Sequence, residues 1–394
     1  MKIFDRREPR CTVERTIADD RVTIMNKLKL LLAGVLLSGC GFKAGSQSSG
    51  DDGGLDASQD GPTSLTFGSF VKVTFDPKDV PTAPLKITEN TSINTDSSPL
   101  CDTQNDQAAR YCVVVGATIE IAAAVSATGS KPLILLSVSS FELSGTLDIS
   151  SKRGGQVGAG AALAAACTMT TAPTAHGGGY GGSFGGAGGA GESTNTSSGG
   201  VAAPALTAFT ELRGGCPGGA GSSDPGGMAG AGGAGGGAVD IIATSIKVSG
   251  AINASGAAGG GGTEAGNKSS GGGGGGAGGM IVLDAPSVSA GTTPPSIYAN
   301  GGGGGQGGTG ADPGKGPGAD GRESMSPQAP ANGGATGSRG GGAGGAGAAG
   351  VHVNGTTGQG HQSGSGGGGG GGGIGFIRAP AFAGGDVSPT PVNP

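Results

Sequence analysis

Residues 237–256 read GAVDIIATSIKVSGAINASG and residues 132–151 read PLILLSVSSFELSGTLDISS; the two stretches align without a gap over their whole length. A third copy of the pattern begins at Gly279 (GMIVLDAPSVSA) and resumes at Ser296 after a short insertion, and a fourth begins at Ile374 (IGFIRAPAF). The shared frame is a strand, a small-residue turn, a second strand, a Ser-Gly corner and a third strand. Internal repetition of this kind indicates stacked equivalent units.

Side chains alternate between the two faces of a strand, so the aligned positions sort into columns. Three inward columns are predicted: Phe141, Ile246 and Val288; Leu147, Ile252 and Ile297; and Ile149, Ala254 and Ala299. Two outward columns are predicted: Glu142, Lys247 and Ser289; and Asp148, Asn253 and Tyr298. One unit cannot bury its own apolar face, so these columns predict an all-β fold of parallel β-helix or β-solenoid repeats. Four independent β-hairpins on a sandwich are the alternative.

Glycine dominates the chain between the repeats. Of 394 residues 94 are Gly, aromatic residues make up 3%, and Trp is absent, which argues against an ordinary globular core. A collagen helix is excluded because no Gly-X-Y period is sustained. Runs such as 271–276 and 366–373 are expected to be mobile, or extended as polyproline II, in long loops between repeats. The net charge of −5 without a basic stripe excludes nucleic-acid binding.

An export signal precedes the repeats. Lys27 and Lys29 form a positive segment, and the apolar run 30–37 that follows is too short to span a bilayer. The run ends in the signal-peptidase motif Leu37, Ser38 and Gly39, followed by Cys40. This order resembles the lipobox of bacterial lipoproteins, which implies cleavage before Cys40 and lipidation of its thiol. A short buried apolar segment with an incidental cysteine is the alternative.

The signal sets the expected domain organisation. The predicted parts are an N-terminal extension from a start codon assigned too early (1–24), a lipoprotein signal peptide (25–40), a flexible tether (41–64), an N-terminal β segment with a disulfide loop (65–130), and a Gly-rich β-repeat domain (131–394). The lipid would anchor the chain in the membrane. Gly41 after the cysteine favours the outer membrane, with the chain facing the cell exterior.

The cysteines after Cys40 are even in number, as expected in an oxidising compartment. Three pairings are possible. Proximity along the chain favours the disulfides Cys101–Cys112 and Cys167–Cys216. A metal site is not predicted, because the CxxC and HxH spacings of metal ligands are missing.

Several segments carry a family resemblance over about residues 130–380. The chain resembles Gly-rich lipoproteins of myxobacteria and related bacteria, and its strand frame is similar to the β-helix repeats of filamentous-haemagglutinin-type surface proteins. The resemblance implies architecture and location, not chemistry. The carrying segments are 176–182 (HGGGYGG), 212–221 (LRGGCPGGAG), 235–256, 274–290, 297–308 and 370–379.

Known catalytic and cofactor motifs are missing or incomplete. GxGxxG matches arise by chance in so glycine-rich a chain, and Lys315 lacks the Ser or Thr of a phosphate-binding loop. The calcium-like GGTGADPG at 307–314 is a single imperfect copy. His176, His352 and His361 lack ligand or catalytic spacing, and His176 is interpreted as a turn or packing residue. The sequence therefore predicts no catalytic residue, metal or cofactor.

These observations predict a lipid-anchored, non-enzymatic structural or adhesive protein of the cell surface. Its partners would be the membrane, through the lipid, and matrix polysaccharide or surface proteins of other cells. One alternative is a polysaccharide-active enzyme on a β-helix, which would require clustered Asp, Glu and Arg on one face. The other is a glycine-rich polyproline II spacer, which would require extended glycine segments packed side by side.

Overall fold

The computed structural model describes a large part of the chain. It covers residues 64–161, 167, 171–193, 197–263, 268–310, 316–335, 341–360, 365–381 and 384–393. The predicted signal peptide, the motif Leu37, Ser38 and Gly39, the lipidation site Cys40, and nearly all of the predicted tether lie outside these residues. Within them, the structure contains no helix with the length and apolar character needed to cross a membrane.

Three parallel sheets contain most of the strands. The first consists of β4 (Thr91–Asn94), β7 (Ala124–Thr128), β10 (Thr146–Asp148), β13 (Ala251–Asn253), β16 (Ser296–Tyr298) and β18 (Asp386–Ser388), paired in that order. The second consists of β5 (Cys112–Gly116), β8 (Leu133–Ser137), β11 (Ala238–Ile242), β14 (Met280–Asp284) and β17 (Phe376–Arg378). The third consists of β3 (Leu85–Ile87), β6 (Ile119–Ile121), β9 (Ser140–Leu143), β12 (Ser245–Val248) and β15 (Val288–Ala290).

A short hairpin and one helical turn precede the sheets. The hairpin pairs β1 (Leu65–Phe67) antiparallel with β2 (Val73–Phe75), and a 3-10 helix follows at Pro77–Asp79. Strands from the segments 65–130 and 131–394 pair with one another in all three parallel sheets.

Both faces of the second sheet carry apolar side chains, and other parts of the structure cover both of them. In β8, Leu133 and Leu135 point into the core shared by the three parallel sheets, whereas Ile134 and Leu136 point the other way. The hairpin covers this opposite face with Val73 and Phe75, and the glycine-rich segments cover it with Phe184 and Leu212. Buried parallel strands read as continuous apolar runs for this reason.

The repeat alignment is confirmed by the strand register. Ile246 lies beside both Phe141 and Val288, and Ile252 lies beside both Leu147 and Ile297. The third predicted column is buried throughout: Ile149, Ala254 and Ala299. Val288 is only half-buried, since β15 is an edge strand of its sheet.

Segment 271–279 shows how the glycine-rich stretches are ordered. Every third backbone amide of this segment donates to the same neighbouring segment. The segment therefore has three residues per turn, as a polyproline II helix does. The donor–acceptor pairs fall into three groups: Gly271–Ser222, Gly274–Gly219 and Ala277–Cys216; Gly272–Gly367, Gly275–Gly370 and Gly278–Gly373; Gly273–Gly260, Gly276–Ala257 and Gly279–Ala254.

The carbonyl groups of the same segment are used in the same way. They accept hydrogen bonds from three further segments, through the amides of Gly230, Gly233 and Gly236; Gly179 and Gly182; and Gly302 and Gly305. Segment 271–279 therefore has extended neighbours on six sides. We call this hydrogen-bonded body the glycine array.

Glycine is required in the array because the backbones pack against one another directly. A Cβ atom added at Gly271, Gly274 or Gly275 would overlap the carbonyl oxygen of Gly177, Tyr180 or Gly302, respectively. The constraint is steric, since these three glycines do not have the positive φ that excludes side chains elsewhere in the chain.

The predicted parallel β-helix or β-solenoid is wrong. The structure consists of parallel sheets of five and six strands with almost no helix, together with the glycine array. The described glycine-rich stretches are hydrogen-bonded into the array and do not project as long loops. Those that carry Phe184, Leu212 and Ala277 pack on the outer apolar face of the second sheet. A simple stack of repeats would leave that face to solvent, so the array and the hairpin are integral to the core.

Both predicted disulfides are confirmed. Cys101 and Cys112 are bonded, with their Cα atoms 4.9 Å apart, and Cys101 packs beside the core shared by the sheets. Cys167 and Cys216 are bonded with a Cα separation of 5.7 Å. Because the Cys216 carbonyl accepts from Ala277, this second disulfide fixes one segment of the glycine array to residue 167.

Candidate functional site

The first sheet carries a row of polar side chains on its outward face, one from each strand. The strand register aligns them across all six strands. The row, which we call the polar row, consists of Ser92, Ser126, Asp148, Asn253, Tyr298 and Ser388. Ser388 is fully buried and donates to Asn300, so the accessible part of the row ends at Tyr298. Neighbouring strands are about 4.8 Å apart, so the row presents hydrogen-bonding groups at a regular spacing.

A shallow groove lies at the N-terminal end of this row. Its volume is about 330 Å³, and it crosses β4, β7 and β10. Its rim and floor are formed by Asn90, Thr91, Ser92, Ala124, Val125, Ser126, Thr146 and Asp148. The groove thus combines hydroxyl, amide and carboxylate groups with a small apolar floor.

Asp148 is held in place by its own turn. Its carboxylate accepts a hydrogen bond from the Ser150 hydroxyl at 2.6 Å and pairs with the Lys152 ammonium group at 2.7 Å. The ion pair balances the charge of the carboxylate, and the short i,i+4 connection keeps its orientation. Asp148 can therefore accept further hydrogen bonds in a fixed direction.

Tyr298 lies two strands further along the row, and its phenol hydroxyl is a potential hydrogen-bond donor. Burial raises the pKa of its phenol above the ordinary value, and the negative charge of Asp148 acts in the same direction. Tyr298 therefore stays protonated at neutral pH. Between these two residues, the Asn253 side chain accepts a hydrogen bond from the amide of Ser255 at 2.9 Å, which fixes the amide plane.

The described strands of the first sheet do not place a second carboxyl group within glycosidase distance of Asp148. A glycosidase needs two carboxyl groups about 5–9.5 Å apart across the bond that is cleaved. Within the described strands of this sheet, the other acid is Asp386. It lies three strands from Asp148 and two residues away in the register, which corresponds to more than about 14 Å at the usual strand spacing. In the described part of the chain, no group of three or more His, Cys, Asp or Glu residues is arranged to hold a metal ion.

The outward face of the third sheet carries paired charges instead. Lys86 and Glu120 are 2.7 Å apart, and Lys247 and Glu142 are 2.8 Å apart. These contacts join neighbouring strands in the observed register. With its acids engaged by lysines, this face offers a ligand fewer polar groups than the polar row does.

The described histidines, His176 and His352, are not members of the polar row. His176 is buried at the start of a glycine-rich segment, with Nδ1 3.6 Å from a carboxylate oxygen of Asp224. His352 is exposed in a turn, and His361 lies outside the described residues. The incomplete calcium-like segment 307–314 is described only as far as residue 310.

The repeat alignment predicts three of the six residues of the polar row. The outward column of Asp148, Asn253 and Tyr298 follows from the repeat alignment, and the register confirms it. Ser92, Ser126 and Ser388 were missed because β4, β7 and β18 lie outside the aligned frame. For β7, the alternation in Ala-Val-Ser-Ala-Thr was an available signal.

Comparison of the chain with protein-family models, with curated proteins and with solved structures finds no match.

Proposed function

We propose that this chain is a lipid-anchored, non-enzymatic structural or adhesive protein of the cell surface, which contacts polysaccharide through the polar row. The observation that carries the proposal is the regular spacing of mostly uncharged hydrogen-bonding groups across a parallel sheet. A polysaccharide presents hydroxyl groups at repeated intervals, so several weak contacts can form together along one chain. Such contacts add up when the protein groups are already held in place.

The rigidity of the support favours this function. The strands of the polar row share a core with the other two parallel sheets, and the glycine array packs against that body. The two disulfides fit an oxidising compartment outside the cytoplasm. Lipid attachment at Cys40 would join this body to the outer membrane through the segment 41–64.

Removing two side chains of the row tests the binding proposal. The double substitution Asp148→Ala and Asn253→Ala removes two hydrogen-bonding groups from neighbouring strands, and we expect affinity for a bound polysaccharide to fall about tenfold or more. The measurement is co-sedimentation or calorimetry with purified cellulose, chitin, dextran and alginate.

The third sheet provides the matched control for this experiment. Glu142→Ala with Lys247→Ala removes an exposed ion pair from the neighbouring strands β9 and β12 and should leave the affinity unchanged. If the control variant loses binding equally, or if none of the polysaccharides binds the wild-type chain, the polar row is not a polysaccharide site.

Substitution of Cys40 tests the anchor. In the wild type, we expect the protein in the membrane fraction, and we expect protease added to intact cells to cleave it. Cys40→Ala removes the thiol that would accept the lipid. The variant should therefore be absent from the membrane fraction that contains the mature lipoprotein. Wild-type protein protected from protease, together with a Cys40→Ala variant that keeps the same membrane association, would contradict both surface exposure and lipid anchoring.

A spacer role is the second candidate, and the glycine array favours it. Extended segments with neighbours on six sides form a stiff body without needing a ligand site. The two candidates give different results in the binding experiment: a spacer retains its surface location but binds no polysaccharide through the polar row.

A further inference from the structure

A groove formed by other residues than the polar row adjoins the turn of the hairpin. Its volume is about 430 Å³, within the range of about 300–1,000 Å³ that is usual for small-molecule sites. We call it the hairpin groove. Its lining comes from residues 70–72 of the hairpin, from Gln107, Arg110 and Tyr111 in the loop that the disulfide Cys101–Cys112 closes, and from residues 210–211.

Tyr111 supplies a buried polar group to the hairpin groove. Only 5% of the residue is exposed, and it belongs to the apolar cluster that contains Val73 and Phe75. Its hydroxyl has no hydrogen-bond partner among the described residues, yet the oxygen is not sealed from solvent. Burial raises the pKa of this phenol, so the hydroxyl keeps its proton at neutral pH. Because an unpaired buried donor is costly, the hydroxyl favours a ligand that accepts a hydrogen bond.

Two cationic side chains line the same groove. The Arg110 guanidinium lies over the Tyr111 ring, 5.4 Å from its centre, and its one polar contact with a described residue is with Glu211 at 3.5 Å. This contact is long for a charge-assisted hydrogen bond, and it leaves other N–H donors of the guanidinium free. In the described part of the chain, no carboxylate lies within ion-pair distance of the exposed Lys72.

The disulfide loop holds these groups in a fixed arrangement. The Asp106 carboxylate accepts a hydrogen bond from the Thr74 amide of β2 at 2.8 Å, which ties the loop to the hairpin. On the other side, the Lys131 ammonium group donates to the Ala108 carbonyl at 2.9 Å. A ligand therefore meets groups that are already ordered, and its binding costs less conformational entropy.

The chemistry of the lining fits an acidic sugar. Two cationic side chains against one acidic side chain complement a carboxylate. The half-buried Phe70 ring offers apolar surface to the face of a sugar ring, and the side chains of Gln107 and Thr210 offer hydrogen bonds to its hydroxyl groups. A small inorganic anion would leave the aromatic and amide groups unused, and a neutral glycan would leave the cationic groups unused.

We propose that the hairpin groove binds the uronate units of an acidic polysaccharide, with the Arg110 guanidinium and the Tyr111 hydroxyl as its main contacts. Lys72 adds positive charge at the groove, and Glu211 opposes the ligand. The proposal rests on the proposed function for the class of ligand, a polysaccharide, and it adds a second site with a stated charge preference.

Calorimetric titration of the purified full chain in detergent with trigalacturonate tests the proposal. Arg110→Gln should weaken binding about tenfold or more, and Tyr111→Phe, which keeps the buried ring, should weaken it about threefold to tenfold. Glu211→Gln removes the opposing charge and should strengthen binding about threefold. Arg110 and Glu211 are exposed, so these two variants keep the fold. Arg153→Gln removes an arginine that pairs with Asp320 at 2.8 Å outside the groove, and this control should bind as the wild type does.

Maltotriose and inorganic phosphate are the comparison ligands, and each should bind at least about tenfold more weakly than trigalacturonate. A wild-type dissociation constant for trigalacturonate above about 1 mM overturns the proposal. So does phosphate or maltotriose that binds equally well, or an equal loss of affinity in Arg110→Gln and Arg153→Gln.

The polar-row variant separates this site from the row. Asp148→Ala with Asn253→Ala should leave the affinity for trigalacturonate unchanged. A loss of affinity in that variant would place the acidic sugar on the polar row, which overturns the groove and supports the row. Conversely, trigalacturonate that binds through Arg110 while cellulose and dextran do not bind would support the groove and contradict the row.

Discussion

Gly274→Ala is expected to lower the free energy of unfolding by about 3 kcal/mol. A Cβ atom at this position would overlap the backbone carbonyl of Tyr180, and the neighbouring segments enclose Gly274 on every side. Backbone atoms cannot move away as the end of a flexible side chain can. The cost therefore falls on several segments at once, and the hydrogen bond from the Gly274 amide to the Gly219 carbonyl is strained with them.

Gly316→Ala is the matched control, with the opposite expected sign. A Cβ atom there meets no atom of the described residues within 4 Å, and the backbone φ is not positive. Reduced freedom of the unfolded chain should then stabilise the protein by about 0.4–1 kcal/mol. Urea unfolding with both disulfides intact measures the two variants. Equal effects would show that the glycines matter for chain flexibility and not for close packing.

Asp240→Val is expected to raise the free energy of unfolding by about 2 kcal/mol at pH 8. Asp240 is fully buried in β11, and its register neighbours are Ile134 on β8 and Val282 on β14. Valine continues this apolar row without a change of shape. The Asp240 carboxyl group, by contrast, loses its contact with water on folding, because it is buried next to the apolar cluster that contains Val73 and Phe75.

The benefit should depend on pH. Burial holds the pKa of Asp240 well above its ordinary value, and the negative charge of Asp284 adds to this shift. The folded chain therefore keeps a proton that the unfolded chain releases near pH 3.9. Stability from this group is fully present below that pH and is lost as pH rises through the folded-state pKa.

Unfolding free energies measured from pH 4 to pH 8 test this assignment. The gap between Asp240→Val and wild type should widen as pH rises. Asp76→Val removes an exposed carboxylate beside the 3-10 helix and should show no such widening. If the gap for Asp240→Val is constant with pH, Asp240 does not carry the proton.

Asp284, whose charge acts on Asp240, contacts the turn of the hairpin. Asp284 accepts hydrogen bonds from the Ser69 hydroxyl at 2.7 Å and from the Phe70 amide at 3.0 Å. The Arg378 guanidinium lies 5.0 Å from the centre of the Phe70 ring. Asp284 and Arg378 of the second sheet thus hold the turn of the hairpin in place. In sequence, the hairpin begins directly after the predicted tether 41–64.

Sequence alone determined the features that depend on local order. Alternation within the repeats predicted which side chains stack, from Phe141 beside Ile246 to Leu147 beside Ile252, because adjacent parallel strands place equivalent residues side by side. Proximity along the chain predicted both cysteine pairs, since closing a short loop costs the least conformational entropy. The same alignment supplied Asp148, Asn253 and Tyr298 of the candidate site.

Only the tertiary structure decided the arrangement of the glycine-rich half and the burial of Asp240. Glycine has no side chain, so a run of glycines shows no alternation of apolar and polar residues from which its packing partners could be predicted. Gly274, for example, is enclosed by segments that are distant in sequence. The array therefore overturned the solenoid prediction, which had placed these residues in loops. Likewise, Asp240 follows an ordinary strand alternation, and the hairpin and the array together remove it from water.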